Sequence, residues 1–99
     1  MRIQWTDLAL ERVDEIAAHI AQDDRDAAIR WTVGLFGAVD RLSEFPESGH
    51  LVPELEERAV RELVYGAYRL FYRVNDVITV LTVRHASQLI REEEVKEDP

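Results

Sequence analysis

Cysteine is absent from all 99 residues, which at once excludes a disulfide framework, a thiol nucleophile and a thiolate metal site. No apolar run approaches the ~18 residues needed to span a bilayer, and no charged leader followed by an apolar stretch opens the chain, so the expected address is the cytoplasm, away from any membrane. Histidine is sparse. His19, His50 and His85 share no ligand spacing, and the chain carries no Gly-rich phosphate loop and no Ser–His–Asp order. The expectation is therefore no metal and no cofactor. A net positive charge is lacking too: 20 acidic side chains outnumber 12 basic ones, and the formal net charge of −8 argues against a generic nucleic-acid binder, because such proteins neutralise phosphates with Lys and Arg.

What remains is the profile of one folded domain, 46% hydrophobic and 32% charged. The charge is unevenly placed. Residues 1–57 carry a net −8, residues 58–91 a net +4, and residues 92–99 a net −4. The basic excess in the middle stretch is all arginine, the side chain suited to planar, bidentate contacts with carboxylate or phosphate. Strand arginines that only solvate an exposed sheet face would give the same count.

Along the chain, Ile3 and Trp5 share one face of a short strand by two-residue alternation. Thr6 offers an N-cap hydroxyl and Asp7 a first-turn negative charge to a helix of about 15 residues, whose Ala9, Val13, Ile16, Ala17 and Ile20 recur at three- and four-residue steps. The run Asp23–Asp26 caps a second helix that buries Ala28, Leu35, Val39 and Leu42 on one face, while Ile29, Val33 and Phe36 are apolar elsewhere. A helix apolar on more than one side is either doubly buried or kept for a partner. The short link between the two helices makes a helical hairpin.

Pro46 and Pro53 end the helical part, leaving residues 46–57 as a loop with room for one helical turn at 54–58. The periodicity then becomes two. Val60–Val64, Tyr68–Val74 and Val77–Val83 read as strands, with a turn at Gly66 and a two-residue hairpin at Asn75-Asp76. That turn places Val74 opposite Val77. One face of the hairpin then holds Tyr68, Leu70, Tyr72 and Val74, able to pack on the helices. The other alternates Arg69, Phe71, Arg73, Ile78 and Val80, with Arg84 beyond. An apolar strip rimmed by guanidinium groups suits an acidic, apolar-anchored peptide or a partner surface of that character. In the competing reading, loop 46–57 folds over the strip and buries it. His85, at the strand end, has the right ordinary pKa for a general acid or base, though a hydrogen-bonded structural role is the commoner fate of such a residue.

Taken together, the strand ending in Trp5, the helical hairpin, Phe45-Pro46-x-x-Gly49, Arg61-Glu62-Leu63, Tyr68–Val74 and Val80–His85 resemble the RelE/ParE superfamily of bacterial toxins, and within it the ParE branch, over residues 1–86. The resemblance implies an α+β fold of order β-α-α-β-β-β, an antiparallel sheet with the N-terminal helical hairpin packed on one face. It fills residues 1–91 as a single toxin domain, leaving 92–99 as an acidic, frayed tail. It also implies a type II toxin–antitoxin module: a toxin that inhibits DNA gyrase by binding, is neutralised by a cognate ParD-like antitoxin, and meets DNA only through that antitoxin. Arg61, Arg69, Phe71, Arg73, Ile78, Val80 and Arg84 are the expected partner-binding residues, and Ile29, Val33 and Phe36 the antitoxin-binding helix candidates. A RelE-like, ribosome-dependent messenger endoribonuclease is the alternative, with Arg61, Arg69 and His85 as its catalytic set. The pI near 4.8 counts against it, since ribosome-docking nucleases of this superfamily tend to be strongly basic. Ala86-Ser87-Gln88 stands where the family carries a basic and aromatic cluster, which counts against the nuclease and also weakens the gyrase reading, because ParE relatives often carry basic residues there. That departure leaves open a third reading, an inactive relative that only binds antitoxin. On these expectations Arg73→Ala and Phe71→Ala weaken partner binding without harming the fold, and Arg69→Ala harms folding or activity.

Overall fold

The computed structural model describes residues 1–96, except for the side chains of residues 56–58. Strand β1 (Ile3–Trp5) leads into helix α1 (Asp7–Ala21) and helix α2 (Arg25–Asp40), followed by β2 (His50–Leu51), β3 (Val60–Tyr65), β4 (Tyr68–Val74) and β5 (Ile78–His85). The sheet order is β1-β5-β4-β3-β2. Strands β2 to β5 are antiparallel, while β1 adds to β5 in parallel, so the five-stranded sheet is mixed. The two-residue strand β2 lies inside the stretch expected to be loop. Two 3-10 turns meeting at a kink at Leu55 occupy Pro53–Arg58.

Both helix starts follow from their caps. The Thr6 hydroxyl accepts the Ala9 N–H at 3.0 Å and donates to the Leu81 carbonyl at 2.9 Å, so one side chain begins α1 and ties it to β5. The Asp24 carboxylate accepts the Ala27 N–H at 3.0 Å and begins α2. The helices pack on one face of the sheet around Val13, Leu35, Val39, Leu42, Leu70, Tyr72, Ile78, Val80 and Val83. Tyr72 spans this layer. Its hydroxyl accepts the Gly49 N–H at 2.9 Å and donates to the Pro46 carbonyl at 2.8 Å, which fixes the turn that ends the helical half.

The β4–β5 hairpin differs from the expected register. Val74 pairs with Ile78 rather than Val77, so the loop holds three residues, Asn75, Asp76 and Val77. A second slip follows at Phe71/Tyr72, where Tyr72 pairs with Val80 and Phe71 with Thr82, leaving Leu81 as the extra residue of a β-bulge. The first slip turns Ile78 and Val80 inward to the helices. The second restores the expected facing for Val83 and Arg84.

The opposite face of the sheet is covered as well. Val52, Leu55, Val60, Phe71, Leu81, Ile90 and Val95 form a second apolar cluster there. Its lid is the 52–55 stretch together with the C-terminal segment, which ends in a 3-10 turn at Glu92–Val95. The frayed tail expected from residue 92 is thus packed over 92–95, because Val95 is fully buried against Phe71 and Leu81 and Glu94 is held by arginine; residues 97–99 lie outside the described residues. Among the described residues no helix is long and apolar enough to cross a membrane.

Candidate functional site

Three surfaces carry the residues singled out above. The first is the helical hairpin. Ile29 and Val33 are 62% and 67% exposed on α2, and with Ala17, Ala18, Ala21, Arg25, Ala28 and Thr32 they line a groove of about 410 Å³ between the helices. Small side chains form its floor, which lets an incoming apolar side chain approach both helix backbones. Phe36, the third candidate on α2, instead packs against Trp5 with ring centroids 4.8 Å apart. It belongs to the core edge rather than to the open groove.

The second surface is the arginine-bearing face of the sheet. The open strip expected there does not form. Ile78 and Val80 lie on the helix side and are fully buried, and Phe71 is fully buried beneath residues 52–55 and the C-terminal segment. The arginines that rim it are engaged inside the chain. Arg69 Nε donates to Glu62, its Nη2 lies 3.4 Å from Glu54, and its guanidinium sits 4.9 Å from the centre of the Phe71 ring. Burial alone would lower the Arg69 pKa, but the two carboxylates outweigh it and hold the pKa above its ordinary value. Arg73 donates to the Val95 carbonyl at 3.0 Å. Arg84 donates through Nε and Nη2 to the two carboxylate oxygens of Glu94, at 2.8 and 2.7 Å.

The third surface is a small pocket of about 140 Å³ at the end of β5, lined by Arg12, Glu15, Ile16, Tyr68, Val83, Arg84, His85 and Gln88. The exposed His85 ring meets Tyr68 edge-on at 5.5 Å, and its Nδ1 accepts the Ser87 backbone N–H at 3.1 Å. The same Nδ1 lies 2.7 Å from the Ser87 hydroxyl oxygen. Tyr68, Arg12, Glu15 and Gln88 were not legible as a group, because they come from a helix, a strand and a terminal turn with no common spacing.

The catalytic set proposed for a nuclease does not converge. Arg61 and His85 project from the helix side of the sheet, whereas Arg69 projects from the other. Arg61 is opposite Tyr72 and His85 opposite Tyr68. Four residues of β4 at ~3.3 Å each separate the two by about 13 Å along the strand. Arg61 is also committed, donating to the carbonyls of Gly49 at 2.8 Å and Glu47 at 3.3 Å. Arg61 thus fastens the turn after the helices.

The fold is α+β, with an apolar groove on the helical hairpin and arginines paired within the chain on the opposite face of the sheet. Residues 3–90 match the family described as the ParE toxin of the type II toxin–antitoxin system parDE, and the chain belongs to that family. Among curated relatives, the Y4kP protein of Sinorhizobium fredii is 44% identical over 89 residues, covering 88% of this chain and 90% of its own. Toxin RelE2 of Caulobacter vibrioides is 34% identical over 90 residues, covering 89% and 98%. Among solved structures, the chromosomal ParDE system of P. aeruginosa superimposes with a TM-score of 0.70 at 22% identity, over 86% of this chain and 95% of that one. The RelBE2 toxin–antitoxin complex of Mycobacterium tuberculosis gives 0.55 at 25% identity, over 85% and 95%. The α+β architecture expected from the sequence is the architecture of these toxins. The chain is a type II toxin of the ParE/RelE kind.

Proposed function

We propose that this toxin acts in the cytoplasm by binding DNA gyrase, and that a ParD-like antitoxin neutralises it by seating an apolar segment in the α1–α2 groove. The observation that carries the binding reading is the dispersal of Arg61, Arg69 and His85. Phosphodiester cleavage needs a charge stabiliser and an acid–base group within hydrogen-bond reach of one reacting centre, and these three side chains lie on two faces of the sheet. The ParE family match and the acidic surface point the same way. Exposed Ile29 and Val33 support the antitoxin site, because two large apolar side chains flanking a groove of small ones form an anchor for a partner helix. DNA contact then falls to the antitoxin within the complex.

One observation favours messenger cleavage as a second reading. The pocket beside His85 gathers Arg12, Arg84, Tyr68 and Glu15 around an exposed imidazole, a different set from the expected one. A single pair of assays separates the two: supercoiling of relaxed plasmid by gyrase, and in vitro translation, each with added toxin. Loss of supercoiling with translation intact is expected. Cut message with gyrase unaffected would overturn the gyrase reading and make His85 the first residue to mutate. Silence in both would leave an antitoxin-binding relative without a toxic target.

A further inference from the structure

The outer side of α2 carries a second pattern beside the groove. Arg30, Val33, Gly37 and Asp40 follow one another at three- and four-residue steps, the spacing that keeps side chains on one stripe and that two paired helices share as a seam. The stripe points away from the core. Arg30, Val33 and Asp40 are exposed, and a Cβ on Gly37 would meet nothing within 4 Å. Among the described residues neither Arg30 nor Asp40 has an ion-pair partner within the chain.

The order of these four residues is self-complementary. Turned end for end and laid against itself, the stripe sets Val33 beside Gly37 and Arg30 beside Asp40, because the two pairs share one midpoint. A two-fold axis makes each contact twice, so two valine side chains enter two glycine gaps and a guanidinium–carboxylate pair closes each end. A parallel pairing would instead bring Arg30 to Arg30 and Asp40 to Asp40. The 3-10 turn at Arg41–Ser43 takes the chain off the helix line and ends the seam at Asp40.

We propose that this stripe is the contact of an antiparallel, two-fold dimer of the free toxin, its occupant a second copy of this chain. Charge complementarity selects that occupant. A net charge of −8 opposes self-association in general, so two copies meet only where opposite charges are matched locally, as Arg30 and Asp40 are here. The 16 residues of α2 make a seam about 24 Å long and one helix wide. That is a small contact beside the ~1,200 Å² of a stable interface, so dimer and monomer exchange and the balance follows concentration. Val33 belongs to the seam and to the groove alike, so a segment lying in the groove and a second copy exclude one another. The dimer itself requires neither the gyrase nor the antitoxin reading to be correct.

The test is sedimentation velocity of the full chain, free of antitoxin, over a concentration series at low salt. The wild type is expected to move from monomer to dimer as concentration rises. Arg30→Glu and Asp40→Arg each turn both matched pairs into like-charge pairs, and each is expected to weaken the dimer about tenfold, with unchanged circular dichroism. An equal mixture of the two variants restores both pairs and is expected to dimerise as the wild type does. A wild type that stays monomeric throughout the series would overturn the proposal, as would a dimer indifferent to both substitutions. Failure of the mixture to recover would overturn it too, because the copies would then meet in another register.

Discussion

Glu94 meets Arg84 with both carboxylate oxygens, ten residues on in the chain and on the far side of a turn. The pair joins the end of β5 to the last packed turn of the protein. Burial alone would raise the Glu94 carboxyl, but the Arg84 hydrogen bonds, the Arg91 backbone N–H, the Arg84 charge and the Thr82 hydroxyl outweigh it and hold the pKa below its ordinary value.

A depressed folded-state pKa means that the unfolded chain binds the proton more readily in the window between the two values, so stability falls with falling pH there. The contribution of Glu94 is complete above the ordinary carboxylate value of about 4.3 and is lost as pH drops through the lower folded value. Amide resonances of Ile90 and Val95, followed by NMR, are expected to hold their docked positions at about pH 5 and to move only in more acid solution. Glu94→Gln is expected to lose this acid step and about 1–3 kcal/mol of stability. An identical acid step in the variant would assign the transition to another carboxylate.

Thr6 makes a comparable junction at the other end of the chain. Replacing it with Val keeps the shape but removes both the acceptor for the Ala9 N–H and the donor to the Leu81 carbonyl, in a buried setting. The expected cost is about 1–2 kcal/mol, the scale of a lost helix cap, read as a lower urea midpoint at unchanged slope. Thr6→Ser is expected to retain most of it.

These junctions mark the limit of what the sequence made legible. Periodicity located both helices, and β-branched runs located β3, β4 and β5 to within a residue or two. The facing of the last hairpin was another matter. Asn75-Asp76 has good two-residue turn chemistry, yet Val77 joins the loop, and a single added residue turns Ile78 and Val80 from one face of the sheet to the other. The bulge at Leu81 then reverses the error for Arg84. Neither event has a local signature, because the sequence here is β-branched almost throughout and satisfies either register. The docked tail escaped notice for a related reason. Glu92-Glu93-Glu94 looks solvated when read locally, and only the distant Arg84 gives Glu94 a reason to be buried.

The same correction changes the reading of Phe71. It was expected to be an exposed contact removable without harm, but it is fully buried between β3, β5 and the C-terminal segment. Phe71→Ala is therefore expected to cost about 3–5 kcal/mol, a large share of the ~5–15 kcal/mol available to a domain. Chemical denaturation checks this directly. A cost below about 1 kcal/mol would mean that the cluster is not a true core.

Two glycines of α2 make a controlled pair. A Cβ on Gly34 would collide with the Tyr65 hydroxyl oxygen, and that side chain is held in place by its bond to the Trp31 carbonyl. A Cβ on Gly37 would meet nothing within 4 Å. Alanine favours a helix interior by about 1 kcal/mol over glycine, so Gly37→Ala is expected to raise the melting temperature. Gly34→Ala is expected to lower it, because α2 or Tyr65 must shift. Removing the hydroxyl in Tyr65→Phe is expected to relieve much of that loss, a coupling that a double-mutant cycle measures.

The groove on the helical hairpin gives the sharpest test of how the toxin is held by its antitoxin. Ile29 and Val33 contribute little to the fold, since both are more than half exposed, so Ile29→Asp and Val33→Asp are expected to leave thermal stability nearly unchanged. If an antitoxin segment buries them, each change removes the ~1.5–3 kcal/mol gained from covering a large aliphatic side chain, about ten- to hundredfold in affinity. Phe36→Ala is expected to behave in the opposite way, destabilising the free toxin through its contact with Trp5. Calorimetric titration with the co-expressed antitoxin, alongside melting curves of the free variants, separates the two classes. Unchanged affinity in both aspartate variants would move the antitoxin off the groove and leave the sheet as the remaining surface to which it can bind.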